Sequence, residues 1–190
     1  MKEALWSIIY TLVSFVGSAC LLRAWGNRIP GSLRNPLGQF VMAVTDWIVK
    51  PLRKFMPSNK GIDWSSVTAA IVIALVLAIV YMLVIANGVG VGKVPNFGAI
   101  ALIAVMWVIK WALYTAIGLL IIMAVLSWVN PNAPIAPAVQ QWTMPLLAPI
   151  RKILPTVGGF DLSPLVVIVL IQALLILVES LLPSFMQLAM

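Results

Sequence analysis

Two copies of one charged motif carry the side chains most able to do chemistry in this sequence. Arg53 precedes Asp63 by ten residues, and Arg151 precedes Asp161 by the same ten. A turn within each copy would bring the carboxylate against the guanidinium, where charge-assisted hydrogen bonds can form. Such a pair can anchor a turn, or its charges can recognise an ion or a partner.

Few other residue types could support catalysis. The 190 residues include no histidine and one cysteine, Cys20. The missing histidines remove the commonest general base and transition-metal ligand, and a single cysteine forms neither an intrachain disulfide nor a thiolate cluster. Most redox and hydrolytic mechanisms are therefore excluded, and we expect no catalytic residues, no metal site and no cofactor.

The elements that position the motif are hydrophobic. Hydrophobic residues make up 63% of the chain and charged residues 9%, whereas soluble domains are close to half apolar. A helix that crosses the roughly 30 Å hydrocarbon layer needs about 20 apolar residues. Four such runs predict an all-α membrane protein with four transmembrane helices, over about 4–22, 65–86, 111–128 and 164–182.

Two of these runs leave alternatives. Lys110 divides the third apolar region, so 99–109 is either an approach segment or the extension of a tilted helix. The first run could be a cleaved signal peptide, or a lipoprotein signal that ends at Cys20. Its n-region has no clear positive excess and its apolar stretch is longer than a usual h-region, so we expect the first helix to be retained.

The positive charges predict the orientation in the membrane. Nine of the twelve Lys and Arg residues lie in the two segments that join spans one to two and three to four. An even number of crossings separates these segments, and the positive-inside rule places them in the cytoplasm. We expect a multi-pass protein of the bacterial inner membrane with both termini in the periplasm.

The chain contains an internal repeat. A shift of 98 positions aligns, without a gap, Pro51, Arg53, Lys54, Pro57, Gly61, Asp63 and Ser65 with Pro149, Arg151, Lys152, Pro155, Gly159, Asp161 and Ser163. We predict two repeats, 1–97 and 98–190, each consisting of span, cytoplasmic segment, motif and span. Since each repeat crosses twice, the copies are parallel and any pseudo-symmetry axis lies along the membrane normal.

This doubled motif, each copy preceding a hydrophobic helix, resembles the YggT family of small bacterial membrane proteins, which has plastid relatives. The second copy is closer to the family pattern, through Ser127-Trp128, Asn130-Pro131 and Gly158-Gly159. The first copy departs from the pattern in three ways: it has Trp25, it has five extra residues before the shared proline, and it has Ser66 where the second copy has Pro164. The resemblance implies an inner-membrane protein linked to osmotic-shock tolerance or ion homeostasis, with plastid relatives tied to haem attachment and Gram-positive relatives near cell-division genes. It implies no enzymatic reaction.

Within the motif, most residue types suit a turn followed by a helix. Ser163 before Pro164 is typical of a helix start, where the hydroxyl caps a backbone N–H. Gly61 and Gly159 suit positive φ, and Pro57 and Pro155 end the preceding segment. At a membrane surface, an Arg–Asp pair is expected to be worth more than the ~0 to 1 kcal/mol of an exposed pair. We expect a structural anchor with headgroup contact; direct ion or partner recognition is the alternative.

Each motif follows an amphipathic segment. In the first, apolar residues recur at helical spacing while Thr45 lies off their stripe, which consists of Leu37, Phe40, Val41, Val44, Trp47 and Ile48. In the second, Pro145 and Pro149 predict a short helix and then a kinked or re-entrant piece. The Arg-Lys pairs, with Trp47 and Trp142, suit both segments to anionic headgroups, and we expect no nucleic-acid partner.

Three polar side chains interrupt the spans. Lys110 and Glu179 are placed toward the outer side, where they can pair or, as we favour, snorkel separately to the headgroups. Gln172 could form a hydrogen bond between helices.

Two functions compete: a membrane factor that binds lipid and partner proteins and supports osmotic tolerance or membrane-protein assembly, and a small oligomeric channel or transporter. The aliphatic spans favour the first.

Overall fold

The computed structural model describes residues 2–56, 61, 63–85, 96–130, 132–153 and 161–189. This part of the chain folds into six α-helices and has no β-strand. The helices are α1 (Lys2–Gly26), α2 (Pro36–Arg53), α3 (Trp64–Val80), α4 (Phe97–Val129), α5 (Ala136–Arg151) and α6 (Ser163–Ala189).

Within the described ranges, four helices are long and apolar enough to cross a membrane: α1, α3, α4 and α6. The predicted four spans are therefore confirmed, and α3 is prolonged by a π-helical turn over Tyr81–Ile85. Residues 99–109 prove to be an extension of the third span, because α4 is one continuous helix of 33 residues. At 1.5 Å per residue it is about 50 Å long, so it must tilt or extend beyond the bilayer.

The spans form two pairs that meet through α4. Helix α1 packs along α3, α4 packs along α6, and α4 also contacts both α1 and α3. Between α3 and α4, Ala74 and Ala78 lie in one buried cluster with Ile103, Ala104 and Trp107. Small side chains such as these let helix backbones approach closely in a membrane.

Two glycines on α1 admit tryptophan rings from the second half of the chain. A Cβ at Gly17 would lie 2.3 Å from Cζ3 of Trp111 on α4, and a Cβ at Gly26 would lie 2.5 Å from Cη2 of Trp142 on α5. Both distances are shorter than any real carbon contact, so only glycine fits. The two halves therefore interlock at two points along α1.

The shorter helices α2 and α5 lie beside the spans. Helix α2 packs against α1 and α3, and α5 packs against α4 and α6. Helix α2 begins where Asn35 accepts a hydrogen bond from the N–H of Gly38 at 2.8 Å and Pro36 takes the first helical position. Gln141 of α5 joins the halves, since its amide donates to the carbonyl of Pro30 at 2.6 Å and accepts from Asn35 at 3.3 Å.

The second segment is one helix, so the prediction that a short helix is followed by a separate re-entrant piece is wrong. Helix α5 is continuous through Pro145 and Pro149. Each proline removes one helical hydrogen bond, but burial of the adjoining face offsets the loss, with Trp142 and Leu147 both fully buried.

The structure also shows which face of the first segment packs against the spans, a point that the predicted stripe left open. The face of α2 that packs inward consists of Gly38, Val41, Thr45 and Val49. Thr45, expected on the polar side, is buried, whereas Phe40 and Trp47 of the apolar stripe are more than half exposed. Trp142, expected at the headgroups, is buried against Gly26. Helical periodicity located a helix here, but it did not identify which face meets the spans.

Candidate functional site

Both predicted Arg–Asp pairs are formed. Arg53 Nη2 lies 2.6 Å from Asp63 Oδ2, and Arg151 places Nε at 2.9 Å and Nη2 at 2.6 Å from Asp161 Oδ2. Each arginine is the last residue of its shorter helix. Asp63 directly precedes the first residue of α3, and Asp161 lies two residues before the first residue of α6. The ion pairs therefore fasten the C-terminal ends of α2 and α5 to the N-terminal ends of α3 and α6.

The serines of the motif support the aspartates. Ser65 Oγ donates to Asp63 Oδ1, and Ser66 Oγ donates to Asp63 Oδ2 at 2.9 Å. In the second copy, Asp161 Oδ1 accepts from the backbone N–H of Ser163 at 2.9 Å. The capping acceptor at the start of α6 is thus the aspartate rather than the predicted serine hydroxyl.

Of the two glycines and two prolines predicted to shape the turns of the motif, the structure describes one. Gly61 has φ 125°, as expected for a turn that requires glycine. Pro57, Pro155 and Gly159 lie outside the described residues.

The environment keeps both carboxyls ionised. Burial of Asp63 alone would raise the pKa, but hydrogen bonds from Ser65 and Ser66 and the Arg53 charge outweigh it, so the Asp63 pKa lies below its ordinary value. At Asp161 burial again opposes ionisation, and hydrogen bonds from Ser163 and then Arg151 lower the pKa. Both sites are therefore built around a charged carboxylate.

Sequence reasoning missed Arg23, which extends the first site. Arg23 is 3% exposed, and its Nη1 donates to Thr45 Oγ1 and to Asp46 Oδ1, both at 2.9 Å. Its Nε lies 3.9 Å from Asp63 Oδ2 and has no hydrogen bond. Lys50 Nζ lies 2.7 Å from the other Asp46 oxygen. Arg23 thus ties α1 to α2 and α3.

Asp46 is held charged by this network. The hydrogen bond from Lys50, followed by that from Arg23, lowers the Asp46 pKa despite the opposing effect of partial burial. Because Arg23 ends the first apolar run, the sequence suggested only a loop cation.

The two copies differ at this network. The shift of 98 positions places Ile121 opposite Arg23 and Met144 opposite Asp46. In the second copy, Arg151 Nη1 contacts the sulfur of Met144 at 3.3 Å. The first site is therefore a network across three helices, and the second is a single pair between two.

A lysine and a large apolar side chain project beyond each ion pair. Lys54 and Phe55 follow Arg53, while Lys152 and Ile153 follow Arg151, and all four are exposed, Phe55 to 84% and Ile153 to 76%. In the described part of the chain neither lysine has an ion-pair partner. The repeat places Phe55 opposite Ile153, and this recurrence is the signal in the sequence for the two exposed helix ends.

Inside the spans, Lys110 and Glu179 are paired. Lys110 Nζ lies 2.9 Å from Glu179 Oε1, and the Tyr114 hydroxyl donates to the same oxygen at 3.1 Å. The pair replaces the favoured interpretation of separate snorkelling. Gln172 is exposed on α6, and among the described residues it has no hydrogen-bond partner. The expected interhelical bond within the chain is therefore absent from the described part.

Cavities open between the helices of the described part of the chain, and two of them are lined mainly by apolar side chains. One of about 320 Å³ lies among α1, α3, α4 and α5, with Arg28 as its charged lining residue. Another of about 460 Å³ lies among α1, α2 and α3 and is lined by aliphatic side chains and Trp47. Their apolar walls suit acyl chains better than ions or water.

Comparison with known proteins gives matches over most of the chain. The family model described as CCB3/YggT matches residues 2–84 and 102–182. An uncharacterized protein in the proC 3′ region of Vibrio alginolyticus is 34% identical over 166 residues, which cover 87% of this chain and 88% of that one. The Escherichia coli K12 protein printed as uncharacterized protein YggT is 34% identical over 173 residues, 88% and 85% of the two chains.

A third relative, uncharacterized protein PA0392 of Pseudomonas aeruginosa, is 37% identical over 160 residues, 83% of this chain and 79% of that one. No solved structure matches.

Proposed function

The chain belongs to the CCB3/YggT family of membrane proteins, and we propose that it is a non-enzymatic membrane factor that binds anionic lipid headgroups and neighbouring membrane proteins. Through these contacts it supports membrane-protein assembly or tolerance of osmotic stress. The partners are phospholipids of the inner leaflet and other membrane proteins, with no cofactor and no nucleic acid.

One observation carries the proposal. Both repeats end their shorter helix in an exposed lysine followed by an exposed apolar side chain, Lys54 with Phe55 and Lys152 with Ile153. A side chain such as Phe55 is stable when it enters the boundary between headgroups and acyl chains, and an unpaired ammonium beside it attracts anionic lipid by about 1 kcal/mol. The ion pairs of Arg53 and Arg151 hold these two ends at the starts of α3 and α6.

The proposal includes an orientation. Nine of the twelve basic residues lie in the segments that contain the two motifs, which supports a cytoplasmic location for both sites. The lipid surface is then the inner leaflet of the bacterial plasma membrane, and both termini are periplasmic.

A small oligomeric channel or transporter is the second candidate, and the Lys110–Glu179 pair within the spans favours it. The mainly apolar walls of these two cavities argue against a water-filled path through either of them. Substrate-dependent flux into liposomes that contain the purified protein, lost in Glu179→Gln or Gln172→Leu, would favour the channel.

The proposal is tested in cells that lack their own copy of the protein. The wild-type chain should restore survival after osmotic upshift, and the double variant Lys54→Gln, Lys152→Gln should not. The control Lys2→Gln, Lys93→Gln removes two lysines on the other predicted side and should restore survival. Equal rescue by both variants would overturn the proposal, provided that all variants reach the membrane in equal amounts.

A further inference from the structure

Helix α6 presents an exposed stripe with the spacing of a coiled-coil seam. Its members are separated by four, three, four and three residues, the pattern that lets two helices interdigitate. All five are exposed or half-exposed, and the stripe consists of Leu165, Val169, Gln172, Ile176 and Glu179.

The other faces of α6 differ in composition. Val167, Ile171 and Leu175 are buried, the first two in a cluster with α4 and α5. On the far side a second exposed stripe has the same spacing but is leucine throughout: Leu170, Leu174, Leu177 and Leu181. An all-leucine stripe is stable against lipid, whereas a stripe containing an amide is not.

Gln172 is the polar member that lipid cannot satisfy. It lies nine residues after Ser163, about 14 Å along the helix and so close to the middle of a hydrocarbon layer of about 30 Å. Its amide is exposed, and in the described residues nothing accepts from it or donates to it. An amide that faces hydrocarbon without a hydrogen-bond partner costs several kcal/mol, so this face of α6 requires a polar partner.

The charge of Glu179 does not prevent two copies of this stripe from meeting. Its side chain is 40% exposed, and Lys110 and Tyr114 both contact its Oε1 atom. Because Lys110 balances its charge, the stripe carries no net charge, and two copies of the stripe do not repel each other.

We propose that this stripe is where a second copy of the chain docks, with Gln172 bonded to its own counterpart. Two copies inserted in one membrane have the same orientation, so a two-fold axis along the membrane normal places both amides at one depth. An amide has both donors and an acceptor, so the pair satisfies itself. An amide at a seam position is also a usual device that fixes the register and the number of helices.

Oxidative crosslinking in native membranes tests the contact. The variant Gln172→Cys should form a species of twice the chain mass, while Leu174→Cys, on the leucine stripe, should remain single. The wild-type chain should not crosslink, because its cysteine, Cys20, is fully buried. Failure of Gln172→Cys to crosslink, equal crosslinking by Leu174→Cys, or products containing only other proteins would overturn the proposal.

A second variant tests the amide itself. Gln172→Leu keeps an apolar seam and should raise the dissociation constant of the dimer in liposomes, measured by energy transfer between labelled chains. Interhelical polar contacts in membranes predict an increase of about three- to twentyfold. Leu174→Ala, on the exposed leucine stripe, is the matched control and should leave the dissociation constant unchanged. An unchanged dissociation constant for Gln172→Leu would contradict the proposed amide pair.

Discussion

Arg151 holds Asp161 through two nitrogens, since Nε and Nη2 lie 2.9 and 2.6 Å from the same carboxylate oxygen. In the first repeat, Arg53 reaches Asp63 through Nη2 at 2.6 Å, and two serine hydroxyls supply further hydrogen bonds. The second site therefore depends more heavily on its arginine than the first does.

Removing either member of the second pair should destabilise the protein. Arg151→Ala and Asp161→Ala should each lower the free energy of unfolding in detergent by about 1–3 kcal/mol, the range for hydrogen bonds to charged groups. The double variant should be no worse than Asp161→Ala alone, because both changes remove the same ion pair. Lys152→Ala, which removes an exposed lysine, is the control and should change stability by less than about 0.5 kcal/mol. Additive losses would contradict the pair.

Acid should weaken both sites. The pKa values of Asp63 and Asp161 are lowered in the folded protein, so their stabilisation is complete above the ordinary carboxyl pKa of about 4 and is lost as pH falls through the lower folded values. Melting temperature in detergent should be nearly constant near neutrality and should fall below about pH 4. Asp161→Asn should flatten part of this fall, and an identical acid response in that variant would count against the assignment.

Arg23 should contribute more to the stability of the protein than Ile121, the residue at the same position of the second repeat. Arg23→Met removes the two hydrogen bonds that Arg23 donates to Thr45 and Asp46, and we expect the free energy of unfolding to fall by about 1–3 kcal/mol. Ile121→Met, at the same repeat position, is the control and should cost less than about 1.5 kcal/mol. The loss from Arg23→Met should shrink when Asp46 is already Asn. Thermal unfolding of the four proteins measures this coupling, and a constant loss would contradict the network.

Close packing between the halves should not tolerate even a methyl group at Gly17. The added Cβ would lie 2.3 Å from the Trp111 ring, and overpacking of this kind costs about 1–3 kcal/mol. At Gly118 no atom lies within 4 Å of the added Cβ, so Gly118→Ala should be neutral or slightly stabilising. Thermal unfolding of the two variants separates them, and equal stability would show that α1 and α4 do not pack as described.

Reporter fusions test the orientation. An enzyme that is active only in the periplasm should be active when fused after Met190, and it should be inactive when inserted between α2 and α3, because that segment is predicted to be cytoplasmic. Activity of a cytoplasm-specific reporter after Met190 would mean that the orientation, or the number of crossings, is wrong.

Much of this architecture follows from the sequence because it depends on local properties. Four apolar runs suffice to locate four spans, since a run of about 20 apolar residues satisfies its backbone in hydrocarbon by forming a helix. The Arg–Asp pairs follow from a spacing of ten residues that recurs at Arg53 and Arg151. The family resemblance rests on the same doubled motif.

The remainder depends on which helices become neighbours. Arg23 acquires its role only because α2 and α3 bring Thr45 and Asp63 to it. Trp142 is buried rather than at the headgroups because Gly26 of the other repeat leaves room for its ring. Gln172 faces outward because α6 is not enclosed by other helices of the described chain. These contacts join residues of different helices, so the periodicity of a single segment cannot predict them.

Titration of the purified protein with single lipids, followed by native mass spectrometry, tests the central claim most directly. The wild-type chain and Lys2→Gln, Lys93→Gln should bind phosphatidylglycerol more tightly than phosphatidylcholine. The variant Lys54→Gln, Lys152→Gln should lose about five- to thirtyfold of that preference, corresponding to about 1 kcal/mol for each lysine. Equal preference for phosphatidylglycerol in all three proteins would contradict a lipid-binding role for the two repeated helix ends.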